Sequence, residues 1–275
     1  MLRVGARASS LTAMSKRDIP DSAPSGIYTG AVYFERINSR ESIRRIRSAF
    51  QDLVLRTAAP GAALFDFGAG PGIDARFFAE RGYTVDAYDV DPKMREFFAE
   101  YCKDFIDSGR ITLDHRGYRE FLRQEAPLDG RPVDLVISNF APLNQIDDLH
   151  ELFSKFHSLT RPGAKLLVSV LNPCYIGDMK TLGWWRTAPR LWRDGHLAVS
   201  GGRSPPHTRR RLAEFGTLCA PYFVLSRVFR GTAPRTERQG RGIDMIRGAR
   251  FACLPLASSE FMTLLFEKRS SRLGE

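Results

Sequence analysis

The sequence predicts an α/β fold with a doubly wound, mostly parallel sheet. Two observations predict it: short apolar runs alternate with amphipathic helical patterns, and a glycine-rich turn joins the first strand to the helix after it. The 275 residues suit one larger domain, or one domain with an insertion. Apolar residues make up 43% of the chain, and no apolar run is long enough to span a bilayer.

The N-terminal segment, residues 1–26, is expected to be a disordered tail because it is rich in Ser, Ala, Arg and Pro. It contains no acidic residue before Asp18, so an organelle targeting peptide stays open as a second interpretation. Residues 27–57 have apolar side chains at three- and four-residue spacings. We therefore predict a helix there, which ends before Pro60 and Gly61.

Five strands are predicted next, with helices between them. The predicted strands are residues 62–67, 84–89, 111–115, 133–138 and 165–171. The helix after the second strand has the clearest limits, since Asp91 suits the N-cap, Pro92 the first helical position and Gly109 the position past the end. The other helices follow the glycine turn, through Arg81, and cover residues 147–159.

The C-terminal third is less regular. Residues 172–207 contain all three tryptophans, Trp184, Trp185 and Trp192, with several Gly and Pro and little periodicity. An excursion of this length predicts a functional insert or lid, although a linker or a simple cover for the sheet edge stays open. A helix near 208–219 and two strands complete the fold, and these strands are residues 222–229 and 261–269.

The positive charge is concentrated near the C-terminus. Residues 203–250 contain eleven Arg, no Lys and three acidic residues, and so carry most of the net charge of +10. Such a segment can bind nucleic acid, anionic lipid or an acidic substrate, or can form a solvated surface. The four scattered cysteines form no metal-binding or disulfide pattern, which favours reduced thiols in the cytoplasm.

The glycine turn lies in "LFDFGAGPGIDARFF", residues 64–78. A phosphate-binding P-loop is excluded because no Lys-Ser/Thr pair stands at the required offset. The three glycines fit the dinucleotide fingerprint imperfectly, because the third comes one residue early. Asp66 directly before the turn would repel a pyrophosphate but would suit an ammonium group. Asp89, after the second strand, stands where a ribose-binding carboxylate is expected.

Four segments together extend this interpretation. "FDFGAGPG", "VDAYDVDPKM", "VDLVISNFAPLNQI" and "RPGAKLLVSVLNP" resemble successive motifs of class I S-adenosylmethionine-dependent methyltransferases. The resemblance covers roughly residues 28–172. It implies a Rossmann-like domain over residues 27–275, with a seven-stranded sheet whose last strand is antiparallel. It also implies S-adenosylmethionine as the cofactor.

The resemblance implies contacts on both sides of the glycine turn. Asp66 and the backbone at Gly68, Ala69 and Gly70 would hold the methionine moiety of the cofactor. Asp89 would accept hydrogen bonds from the ribose hydroxyls.

Further contacts are implied for residues outside the turn. Val90 and Met94 would pack against adenine, and Asn139 would lie beside the transferred methyl group. Tyr33 would close over the cofactor, as N-terminal aromatics do in many relatives. Many relatives have an acid that meets the adenine amine where this chain has Tyr118, so its backbone or hydroxyl would have to substitute.

Several acceptors fit these motifs. Enzymes that methylate base amines often carry Asn/Asp-Pro-Pro-aromatic after strand four, but residues 139–142 read "NFAP". We therefore expect a small-molecule methyltransferase, with O-methylation favoured, an anionic acceptor suited to the arginines, and His207 as the candidate base. The alternatives are an RNA or protein methyltransferase that docks through residues 203–250, and a non-catalytic binding protein on the same fold.

Overall fold

The computed structural model describes five stretches of the chain, residues 30–124, 130–199, 206–230, 243–244 and 259–269. The expected tail of residues 1–26 and much of the arginine-rich segment lie outside the described residues.

Helices and strands alternate along the described chain, as the sequence predicts. The helices are α1 (Gly30–Ser39), α2 (Glu41–Thr57), α3 (Ile73–Ala79), α4 (Pro92–Tyr101), α5 (Lys103–Asp107), α6 (Tyr118–Arg123), α7 (Leu149–Leu159), α8 (Ile176–Met179), α9 (Leu182–Asp194) and α10 (Leu212–Cys219), with a 3₁₀ turn at Pro142–Gln145. The strands are β1 (Ala63–Phe67), β2 (Thr84–Tyr88), β3 (Ile111–Asp114), β4 (Val133–Ser138), β5 (Thr160–Leu171), β6 (His196–Val199), β7 (His207–Arg210), β8 (Phe223–Arg230), β9 (Ile243–Asp244) and β10 (Phe261–Lys268).

The main sheet has the strand order β3-β2-β1-β4-β5-β10-β8-β9. Neighbours from β3 to β5 are parallel, and β10 is antiparallel to both β5 and β8. The predicted seven-stranded sheet with an antiparallel last strand is therefore confirmed. The two-residue strand β9 extends its edge, and β6 and β7 form a separate antiparallel pair.

Both faces of the sheet are covered by helices and aromatic side chains. Because side chains alternate along a strand, Phe65 and Phe67 of β1 face one way and pack against Phe156 of α7. Leu64 faces the other way, into the cluster that contains Phe78 of α3. Asp66 has the same parity as Leu64, so β1 ends with a carboxylate on the α3 side of the sheet.

Two long helices of the sequence-based prediction are each divided. The predicted helix over 27–57 is interrupted at Arg40, which has the extended backbone of an N-cap (φ −95°, ψ 114°). The predicted helix after Pro92 is interrupted at Cys102, whose thiol is buried 3.6 Å from the carbonyl oxygen of Gly72. Packing against the glycine turn therefore overrides a continuous apolar pattern. The N-cap at Asp91 is confirmed, since its side chain accepts a hydrogen bond from the Lys93 N–H.

The region after β5 is more regular than its composition indicates. Its described part forms α8, α9 and β6, around a small cluster of Cys174, Trp184, Ala188, Leu191 and Leu197. The predicted helix over 208–219 is wrong for its first three residues, because they pair with β6 as part of β7. Within the described ranges, no helix is both long and apolar enough to cross a membrane.

Asn144, in the 3₁₀ turn, joins this region to the main sheet. Its side chain is 1% exposed, accepts from the N–H of Leu171 in β5 (3.0 Å) and donates to the carbonyl of Thr208 in β7 (2.7 Å). Both backbone groups lose their partner if the amide is removed.

We expect Asn144→Ala to lower the free energy of unfolding by about 1–3 kcal/mol, since it leaves two backbone groups near the protein interior without partners. Urea unfolding followed by circular dichroism measures the change. Thr217→Ala on the exposed face of α10 is the control, because the hydroxyl there bonds only to Ala213 one turn away. Equal stability of the two variants would contradict the prediction.

Candidate functional site

The glycine turn after β1 is built to bring backbone close to a ligand. Gly68 has φ +73°, and a Cβ there would overlap the ring of Pro142. The N–H groups of Gly68 and Ala69 donate to the carbonyl of Tyr88 at 2.8 and 3.0 Å, which ties the turn to the end of β2. Gly70 has φ +55°, and its N–H donates to Asp89 Oδ2 at 2.8 Å. The turn and Asp89 therefore form one hydrogen-bonded unit.

Asp66 is a buried carboxyl group without a complete set of partners. It is 2% exposed, and its Oδ2 accepts no hydrogen bond from any described residue. Burial raises its pKa well above the usual range, and the nearby carboxylates of Asp74 and Asp89 raise it further. Arg47 acts in the opposite direction and lowers this pKa. An orphaned oxygen in such a place needs a cationic donor from a ligand.

Asp89 is a second carboxyl group whose protonation is shifted. Burial raises its pKa to about 6, although the backbone N–H groups of Asp91 and Gly70 donate to it and lower this pKa. The Asp91 N–H donates to Oδ1 of Asp89 at 2.9 Å, and the Gly70 N–H donates to Oδ2 at 2.8 Å. Each oxygen keeps a free lone-pair direction for a ligand hydroxyl.

A buried network around Asp74, which the sequence analysis missed, connects three parts of the site. Asp74 in the first turn of α3 accepts from Arg47 Nη1 (2.6 Å) and Gln51 Nε2 (2.7 Å) of α2, and from Asn139 Nδ2 (3.0 Å) after β4. The guanidinium of Arg47 also lies 4.7 Å from the ring centroid of Phe140. The sequence feature that could have indicated this network is the four-residue spacing of Arg47 and Gln51, which places them on one face of the predicted helix.

The segment after β4 has an uncommon backbone. Phe140 and Ala141 are consecutive non-glycine residues with φ +61° and +67°. Strain of this kind is held by surrounding contacts and clusters at functional sites. Here the Phe140 N–H donates to Asn139 Oδ1 and the Ala141 N–H to the carbonyl of Ser169. With this backbone, Pro142 packs against Gly68, and the end of β4 lies beside the glycine turn.

The other predicted residues lie around this centre. Tyr33 of α1 is partly buried, with its ring 4.0 Å from where a Cβ on Gly70 would stand. Burial raises the pKa of its hydroxyl, which also interacts electrostatically with Arg47, Asp89 and Asp74. The predicted closure of this aromatic over the cofactor stays a prediction. Val90 and Met94 are partly buried directly after β2 and in α4.

Tyr118 is a core side chain, whereas its predicted role is a contact with the adenine amine of the cofactor. It begins α6 and packs in the core beside Phe121, and it is 4% exposed. Its hydroxyl and that of Tyr88 are buried without a hydrogen-bond partner among the described residues. Burial raises the pKa of both phenols, so both hydroxyls stay protonated and able to donate.

His207 is held in the β6–β7 pair opposite Val199, and this pair is separate from the main sheet that carries the glycine turn. Its neighbour Arg209 pairs with Asp178 and donates to the carbonyl of Asn172. Arg210 is 5% exposed and donates to the carbonyl of Ile146 at 3.0 Å. These arginines therefore serve contacts within the chain.

One known protein family matches more than half of the chain. Residues 40–214 match the family described as "Methyltransferase domain". The chain belongs to this methyltransferase family. It is an S-adenosylmethionine-dependent methyltransferase with a Rossmann-like fold, and its cofactor is S-adenosylmethionine.

The relatives of this methyltransferase carry names that refer to different methylated molecules. The malonyl-[acyl-carrier protein] O-methyltransferase of Serratia marcescens is 26% identical over 210 residues, 74% of this chain and 76% of the relative. A ribosomal RNA large subunit methyltransferase E of Chromobacterium violaceum is 32% identical over 148 residues, 46% of this chain and 66% of the relative. The Burkholderia thailandensis 1,6-didemethyltoxoflavin N1-methyltransferase, solved with S-adenosylhomocysteine, matches at TM-score 0.53 and 16% identity over 88% of this chain and 87% of that chain.

The residues of the methyltransferase fit its cofactor on their own chemistry. The buried Oδ2 of Asp66 lacks a donor, and the cofactor has an ammonium group that can supply one. Asp74 and Asp89 act on Asp66 as negative charges and Arg47 opposes them there, while Arg95 acts on Asp89. When the three carboxyl groups are ionised, their surplus over the two guanidinium groups suits a ligand with ammonium and sulfonium charges.

The Arg47–Asp74 pair should couple the N-terminal helices to the site. Its side chains are 13% and 6% exposed, so a double-mutant cycle with Arg47→Met and Asp74→Asn should give a favourable coupling of about 1–3 kcal/mol in urea unfolding. The matched control is the exposed Arg45–Glu41 pair of α2, for which about 0.5 kcal/mol or less is expected. Equal couplings would show that the buried pair does not stabilise the fold.

Proposed function

We propose that this methyltransferase transfers the methyl group directly and in line to a small-molecule acceptor, with oxygen favoured as the accepting atom. The observation that carries this proposal is the engagement of Asn139. Its Nδ2 donates to Asp74 and its Oδ1 accepts from the Phe140 N–H, so both ends of the amide serve the protein. Together with "NFAP" in place of Asn-Pro-Pro-aromatic, this disfavours recognition of an exocyclic base amine.

We assign the cofactor contacts to the residues of the glycine turn and its surroundings. Asp66 would accept from the ammonium group, the Gly68–Gly70 backbone would hold the methionine moiety, and Asp89 would accept from the ribose hydroxyls. Tyr33 would close over the cofactor and exclude water, while Val90 and Met94 would contact adenine. The hydroxyl of Tyr118 is available as a donor near adenine, in place of the acid that other members carry.

The bound cofactor supplies an electrophilic methyl group, and the chain supplies orientation and desolvation. Alignment of the reacting groups contributes about 7–11 kcal/mol, whereas a general base adds on the order of 10²–10⁴-fold. The proposal therefore depends on positioning first. His207 is proposed as the base for a hydroxyl acceptor, since it lies in the β6–β7 pair that borders the C-terminal end of β5 through Asn144.

An RNA acceptor is the second candidate, because one relative is named as a ribosomal RNA methyltransferase. The described part of the arginine-rich segment argues against docking through Arg209 and Arg210. Their guanidinium groups are already bound to Asp178 and to backbone carbonyls.

Tritiated cofactor distinguishes the two candidates. The full chain is incubated with small hydroxy and carboxylic acids, with thioester-linked acyl groups and with total RNA, and label is followed in each fraction. We expect label in the small-molecule fraction that is lost on mild base treatment if an ester is formed. Label in RNA alone, with RNA binding that weakens steeply with salt, would overturn the proposal.

The cofactor assignment predicts a charge-dependent affinity. Asp66→Asn should weaken binding of S-adenosylhomocysteine by about 10- to 100-fold, since a hydrogen bond to a charged group contributes about 1.5–3 kcal/mol. Isothermal titration calorimetry measures it. Asp91→Asn is the control: it removes a nearby carboxylate but keeps an N-cap oxygen for Lys93. Similar losses in both variants would contradict the assignment of Asp66.

The raised pKa of Asp89 predicts a pH dependence. Above about pH 6 the group is ionised and accepts from both ribose hydroxyls, whereas below it the added proton removes charge and one acceptor site. Affinity for S-adenosylhomocysteine should therefore fall as the pH drops through about 6. In Asp89→Asn the fall centred there should disappear while the remaining affinity is lower throughout. An unchanged profile in the variant would rule out this role.

A further inference from the structure

Helix α9 exposes an apolar face that nothing in the fold covers within the described residues. Its buried side, Trp184, Ala188 and Leu191, packs into the small cluster after β5. Leu182, Trp185, Pro189 and Trp192 follow at spacings of three, four and three residues, so they share a second face. Leu182 is 78% exposed, Trp185 59% and Trp192 46%.

This concentration is local. Five large apolar side chains are exposed in the described part of the chain, and four of them lie in α8 and α9, with Ile176 as the fourth. The fifth, Val224, lies on β8. Scattered apolar side chains are normal on a surface, but a contiguous group of this kind marks an interaction site.

The edge of this apolar face is basic. At about 100° per residue, Arg186, Arg190 and Arg193 lie directly beside Leu182 and Pro189 on the helix circumference. Arg193 pairs with Asp194, the only acid of the helix, and Arg186 and Arg190 have no ion-pair partner among the described residues. An apolar stripe with arginines along its border is the pattern of helices that lie in the headgroup region of a bilayer.

We propose that α9 docks the methyltransferase on an anionic membrane surface. The indoles and Leu182 enter the boundary between headgroups and acyl chains, where Trp is enriched. The arginines reach the lipid phosphates, and their aliphatic stems cover the rim of the apolar face.

The size of the face favours a bilayer over a second copy of the chain. Two half-exposed indoles and two aliphatic side chains present on the order of 300–500 Å² of apolar surface. A stable protein interface buries about 800 Å² on each partner. A single amphipathic helix needs no such area to bind lipid, because its arginines add attraction to the negative surface.

The position of α9 in the fold relates its exposed apolar face to the cofactor site. The segment leaves β5 at its C-terminal end, and the Trp184 indole donates to the carbonyl of Pro173 there. The glycine turn follows β1, which is parallel to β4 and β5 through the sheet, so both lie at the same sheet edge. A docked enzyme therefore presents the edge that carries the cofactor site toward the membrane.

Vesicle co-sedimentation of the full chain tests the proposal, with vesicles of equal parts phosphatidylcholine and phosphatidylglycerol and with phosphatidylcholine alone. We expect binding to the anionic vesicles that weakens in high salt. Leu182→Ser with Trp192→Ser should reduce the partition constant about tenfold or more. Arg186→Gln with Arg190→Gln should reduce it roughly thirty-fold, since about 1 kcal/mol per arginine corresponds to about fivefold each.

Two controls match these variants: Val224→Ser removes an exposed apolar side chain elsewhere, and Arg40→Gln with Arg44→Gln removes two exposed arginines at the N-cap and in the first turn of α2. Both should bind as the unaltered chain does. Calorimetric binding of S-adenosylhomocysteine shows that every variant is folded, independently of the acceptor. Equal binding by all variants, no binding to anionic vesicles, or a dimer that Leu182→Ser with Trp192→Ser dissociates would each overturn the proposal.

Discussion

The rest of the site depends on one electrostatic constraint: buried and partly buried carboxyl groups lie together at the ends of β1 and β2. Asp66 is at the end of β1 on the side of α3, Asp74 begins α3, and Asp89 follows β2. Arg47 opposes Asp66 and Asp74 from the N-terminal helices, and Arg95 of α4 opposes Asp89. When the carboxyl groups are ionised they outnumber these cations around the turn, which favours a cationic cofactor and disfavours a phosphate.

The hydrogen bonds of Asp74 join three separate parts of the chain at the site. Asp74 binds Arg47 and Gln51 of α2 and also Asn139 after β4, so the N-terminal helices, the glycine turn and the β4 exit share one acceptor. The left-handed turn at Phe140 and Ala141 is kept by this arrangement, since Arg47 covers the Phe140 ring. A polar network that is fully bonded specifies one geometry, which is what an aligned methyl transfer requires.

Local patterns were enough to predict the sheet and the glycine turn. The β1–turn–α3 unit, the cap at Asp91 and the antiparallel last strand all followed from strand alternation, turn chemistry or the resemblance. The Asp74 network could not be predicted, because its partners are 23 to 65 residues away along the chain and are joined only by tertiary packing.

The breaks at Arg40 and Cys102, and strand β7, have the same origin. An apolar period predicts that a segment is helical, but the position of a kink is decided by what it packs against, here the glycine turn for Cys102. The basic segment 207–210 has no apolar alternation and forms a strand because β6 pairs with it. The sequence does not predict α9, because apolar side chains on both of its faces leave little apparent periodicity in residues 172–207.

The central claim is that the orphaned carboxyl of Asp66 receives the ammonium group of the cofactor. It is tested most directly by the pKa of the Asp66 carboxyl in the free protein and with S-adenosylhomocysteine bound, followed by carbon-13 NMR of labelled aspartate, with Asp66→Asn to assign the signal. Burial raises this pKa in the free protein, and an ammonium group beside the carboxylate favours its ionised form. The account predicts that binding lowers the pKa of Asp66. An unchanged or a raised pKa would contradict it.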